Sequence, residues 1–71
     1  MSDKDLVGFA QGLLDDDAQI EIGRVGSDQT YDVVNIVIDE ATGVVQAMLR
    51  GSERRLYLAP GQLGFVIASA L

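Results

Sequence analysis

Between residues 30 and 58 the apolar positions come in short bursts separated by turn residues, with no sustained helical spacing. Residues 33–38 rise, Asp39-Glu40-Ala41-Thr42-Gly43 turns, and residues 44–49 return, a pattern that predicts a β-hairpin. Gly43 suits the turn because it takes the positive φ that a side chain resists. Upstream, residues 18–25 alternate: Ile20 and Ile22 face one way, Gln19 and Glu21 the other, and Gly23 and Gly26 mark a bend or bulge. Over 30–38 the alternation fails. Val33, Val34, Ile36, Val37 and Ile38 make both faces apolar around Asn35, so this strand is expected to be buried on both sides, under a helix or a neighbouring subunit.

Strands are further predicted over 44–50 and 54–58, the latter ended by Ala59-Pro60-Gly61. Residues 63–71 fit either a helix face (Leu63, Val66, Ile67, Ala70, Leu71) or a strand face (Leu63, Phe65, Ile67), and a closing strand over 63–70 is favoured. Residues 2–14 predict a helix. Ser2 caps it with Asp5 three residues on, and Leu6, Phe9, Ala10, Leu13 and Leu14 form its apolar stripe. Gly8 and Gly12 each cost about 1 kcal/mol relative to alanine, so the helix depends on docking. Asp15, Asp16 and Asp17 oppose the helix dipole and end it there.

Composition sharpens this picture. Seventy-one residues make one domain, and a chain of that size buries only about 60% of the surface its unfolded form exposes. With no cysteine and no histidine, neither a disulfide nor an ordinary transition-metal site is available to reinforce the core. A 48% hydrophobic content then points to a homo-oligomer. No secretory pattern follows the acidic first residues, and the apolar tract 63–71 is too short to span a bilayer, so a cytoplasmic protein without a membrane segment is expected. Residues 1–40 carry ten acids against Lys4 and Arg24, a charge of −8; residues 41–71 carry three arginines against Glu53, a charge of +2. That balance argues against general DNA binding and leaves one anion-facing edge, at the arginines.

Catalysis is poorly supplied: the familiar nucleophile–base pairs need His or Cys, so no enzyme, cofactor or metal is expected. Asp15 to Asp17 read as a solvated helix terminus, since their spacing is not that of a calcium loop. Two positions carry more information. Asn35 is either a bulge asparagine bonded to nearby backbone or a base-reading amide, because an amide offers both donor and acceptor. Arg50-Gly51, with Arg54 and Arg55, is either a solvated turn with Arg50 bonded to an acid across the hairpin, or an arginine fork at a glycine turn open to a base or phosphate.

The order of these features resembles the Sm/LSm family of ring-forming RNA-binding proteins. YDVVNIVIDEA resembles the first Sm motif and MLRGSERRLYLAP the second, after a short amphipathic helix. The resemblance implies a mainly β fold: a small, strongly bent SH3-like or Sm-like barrel of five strands with an N-terminal helix. It also implies a ring in which the fourth strand of one subunit pairs with the fifth of the next. Asp32, Asn35, Arg50 and Gly51 would then line a pocket for single-stranded RNA, with Asn35 bonding the base, Arg50 stacking on or bonding it, and Asp32 holding the loop. IVIDEATGVVQAMLR followed by RRLYLAP is also similar to the PRC-barrel, through a generic hairpin pattern. The function expected is thus an Sm-like ring that binds RNA or serves as an assembly scaffold. The competing expectation is an acidic interaction module, a small inhibitor or adaptor, that presents Asp15 to Asp17 to a basic protein partner.

Overall fold

The computed structural model describes residues 2–69. A helix, α1 (Asp3–Asp15), precedes five strands: β1 (Gln19–Arg24), β2 (Thr30–Ile38), β3 (Val45–Leu49), β4 (Arg55–Leu58) and β5 (Leu63–Ser69). Ser2 caps α1, its hydroxyl oxygen accepting the Asp5 N–H at 3.2 Å. At the other end Asp17 turns left-handed (φ 63°), Ala18 N–H donates to the Leu13 carbonyl and Asp17 N–H to that of Leu14, both at 3.0 Å. This is the two-bond Schellman closure, with an aspartate where glycine usually sits. The helix stripe differs from the predicted one. Val7 and Ala10 are the fully buried pair, flanked by half-buried Leu6, Leu13 and Leu14, while Phe9 stands 55% exposed.

The strands form one antiparallel sheet in the order β4-β3-β2-β1-β5. β2 is shared along its length: residues 30–33 pair with β1, and residues 33–38 pair with β3. Its register shifts between Val33 and Asn35, leaving Val34 as an extra residue. That bulge corrects the expectation of a doubly buried strand. It restores alternation, so that Tyr31, Val33, Ile36 and Ile38 face the core, while Val34 and Val37 lie on the outer face, exposed. The hairpin turn forms as predicted: Gly43 has φ +76°, Gly43 N–H donates to the Asp39 carbonyl at 2.7 Å, and Asp39 N–H donates to that of Val44 at 2.9 Å. The last segment is a strand; residue 70, the predicted end, lies outside the described residues.

Curvature follows from the chain's own reach. β4 and β5 are the opposite edges of the sheet, and in a flat sheet of five strands they would sit about 19 Å apart. Residues 59–62 join them, and the five steps from Leu58 to Leu63 reach about 18 Å at most. The sheet therefore curls without closing: β4 and β5 are not hydrogen-bonded neighbours. The link is pinned along its path. Gly61 N–H donates to Asp3 Oδ2 at 2.7 Å, and Val25 N–H donates to the Gln62 carbonyl at 2.9 Å. Where β1 meets β5, a Cβ on Gly23 would clash with the tip of the Phe65 ring, and one on Gly64 would lie 2.8 Å from the Val25 backbone nitrogen. Glycine at both positions lets the two strands bend together.

The concave face holds the core: Ile20, Ile22, Val33, Ile36, Val45, Ala47, Leu58 and Leu63, closed over by Val7 and Ala10 of α1. No polar side chain is buried with them among the described residues. Each aliphatic side chain of valine size or larger buried here contributes about 1.5–3 kcal/mol. No helix is long and apolar enough to cross a membrane among the described residues.

Candidate functional site

The candidate residues Asp32 and Asn35 lie on the convex face of the sheet, and Arg50 and Gly51 in the turn after β3. Asp32 lies on the β2 portion of that face, directly opposite Glu21 of β1. Two carboxylates in this position repel. Arg50, in the turn after β3, answers one of them: its Nε donates to Asp32 Oδ2 at 3.1 Å, and its N–H donates to the Asp32 carbonyl at 2.9 Å. The pair is half exposed, so its electrostatic contribution is at most about 1 kcal/mol. Gly51 follows at φ +73°, turning the chain toward β4.

Asn35 is placed differently. It sits just past the bulge, and its Oδ1 accepts the Ile36 N–H at 2.9 Å. The Ile36 carbonyl accepts Gln11 Nε2 of α1 at 2.9 Å. Beyond Val33, β2 has no β1 partner, so both backbone groups of Ile36 take a side chain instead. Across the strands Asn35 lines up with Met48 and Arg55. Asp32, Arg50 and Gly51 are thus brought together, while Asn35 shares a shallow dimple of about 80 Å³ with Val37, Gln46, Met48 and Arg55. Each amide oxygen at this dimple accepts one bond, Asn35 from Ile36 and Gln46 from Arg55 Nη1 at 3.5 Å, so its rim carries amide N–H donors beside oxygens that retain a second lone pair.

Sequence reasoning overlooked Gln46, Met48 and Tyr57. Their signal was the alternation of β3 and β4, in which 46, 48, 55 and 57 share the outward face. The resemblance named the β4 and β5 edges as a contact between subunits, but not the side chains that they present. β4 presents Tyr57 outward at 57% exposure and half-buried Leu56 inward; β5 presents Ile67 outward at 45% and half-buried Val66 inward. Asp15, Asp16 and Asp17 are exposed, and no group of three or more metal-ligating side chains is assembled among the described residues. No protein-family model matches the chain, and neither a curated protein nor a solved structure matches it.

Proposed function

We propose that this protein is a self-assembling scaffold, an Sm-like ring in which the free β4 edge of one copy adds to the free β5 edge of the next. The observation that carries this reading is the matched pair of open edges. Each combines unpaired backbone groups, a half-buried aliphatic side chain on the concave side and a large exposed apolar one on the convex side. An unprotected edge of that composition recruits another strand, and in a single small domain it stays partly wet. Continuing the sheet from copy to copy extends both the core and the convex face.

Single-stranded RNA is the ligand that the Sm/LSm resemblance supplies, at Asp32, Asn35, Arg50 and Gly51. The geometry favours it less than assembly, because Arg50 is already engaged by Asp32 and the Asn35 amide oxygen by Ile36. The acidic interaction module, directed at a basic protein, rests on the exposed Asp15 to Asp17 and needs no edge contact.

Light scattering on a sizing column tests the proposal. The wild type is expected to run as a multiple of the chain mass at micromolar concentration, and Ile67→Lys or Tyr57→Lys, which place a charge on an edge, to run as single chains with an unchanged far-ultraviolet spectrum. A wild type that is a single chain throughout overturns it. Titration with oligo-uridine at two salt concentrations tests the RNA component: salt-dependent binding lost in Arg50→Ala supports it, and absence of binding removes it.

A further inference from the structure

Resting on the edge-to-edge assembly proposed above, the charge distribution of the convex face points to its register and to its specificity contact. We propose that Arg55 of each copy pairs with Glu21 of the next.

The convex face divides into two halves of different charge. Residues 33–38, 45–49 and 55–58 contain no acid, and Arg55 is their one charged residue. The half built on β1 and the start of β2 carries Glu21 beside Asp32. Asp32 is matched by Arg50, whereas Glu21 makes no ion pair among the described residues. Arg55 makes none either; its one side-chain hydrogen bond among the described residues, to Gln46, is at the outer limit of length at 3.5 Å. Among the described residues, a single copy therefore holds an unmatched cation, Arg55, on its β4 edge and an unmatched anion, Glu21, a strand behind its β5 edge.

Adding β4 to the β5 of another copy, antiparallel, must keep concave residues against concave residues. Setting Arg55 opposite Ile67 of the next copy does so. It places Leu56 against Val66 on the core side and Tyr57 against Phe65 on the convex side, and it avoids any pairing with Leu63, which faces inward. Glu21 is the β1 neighbour of Ile67 in that copy, so it falls in the same row as Arg55, about 10 Å away between backbones across two strand spacings. The arginine stem lies over the exposed Ile67 side chain and carries the guanidinium to the carboxylate. The contact also relieves the repulsion between Glu21 and Asp32, a benefit that only the assembled form supplies. Like charges forced together at such a position repel, so the pair acts as a register lock and as discrimination against other open edges.

The test is a charge-reversal cycle read by sedimentation equilibrium of the full chain, with circular dichroism as the folding control. Arg55→Glu and Glu21→Arg are each expected to weaken self-association at least about tenfold, and the double variant to recover to within about threefold of wild type. Neutral Arg55→Gln and Glu21→Gln fall between, and the wild type weakens as salt rises. If the wild type associates but the single reversals leave it unchanged, or the double variant fails to recover, the register contact is overturned while the assembly stands. If the wild type does not associate at all, both are overturned.

Discussion

Gln11 of the helix donates its side-chain N–H to the carbonyl of Ile36, at 2.9 Å, beyond the point where β1 stops covering β2. This polar contact docks α1 on the exposed flank of the longest strand, next to the core contacts of Val7 and Ala10. Gln11→Ala is expected to destabilise the fold by about 1 kcal/mol, and Asn35→Ala, which frees the Ile36 N–H, by a similar amount. Urea denaturation measures both; a loss under about 0.3 kcal/mol for each would mean that water replaces these side chains without penalty.

Asp17 holds a left-handed conformation at the helix C-terminus, where its charge also faces the negative end of the dipole. Asp17→Gly removes both burdens and is expected to raise stability by about 0.5–1 kcal/mol. A lowered melting temperature would contradict the Schellman closure seen there.

Gly8 and Gly12 lie on the helix with nothing within 4 Å of a built Cβ. Alanine at either position is therefore expected to stabilise the folded chain by about 1 kcal/mol, and the two to add, in thermal or denaturant unfolding. A destabilising outcome would require that another molecule sit against that helix face.

Gly64 behaves in the opposite way. A Cβ there meets the Arg24 and Val25 backbone at 2.8–3.0 Å, and a paired strand cannot give way as a side chain can. Gly64→Ala is expected to cost about 1–3 kcal/mol, whereas Gly23→Ala is expected to cost less, since the Phe65 ring it displaces can swing toward solvent. Equal losses in the two variants, compared by chemical denaturation, would contradict this account.

The sequence alone determined the helix and its Ser2 cap, the five strands in order, the Gly43 turn and the inward set of β1, because each depends on residues within a few positions of one another. It also offered two readings for Asn35 and two for Arg50, and the structure shows the bond that the local reading named at each: a bulge amide bonded to Ile36 and an arginine bonded to an acid on the adjacent strand. Only the tertiary structure decided what depends on distant partners. The Val34 bulge is invisible in a run of valines and isoleucines, yet it reverses which of them face water. Phe9 fits the helical stripe by spacing and is left out of the core because the sheet curls beneath Val7 and Ala10 instead. The edges that carry the proposed assembly exist only because a short link, residues 59–62, sends the chain from one side of a curled sheet to the other. No local pattern encodes that path, since it is set by the bend at Gly23 and Gly64 and by the pairing of β5 with β1.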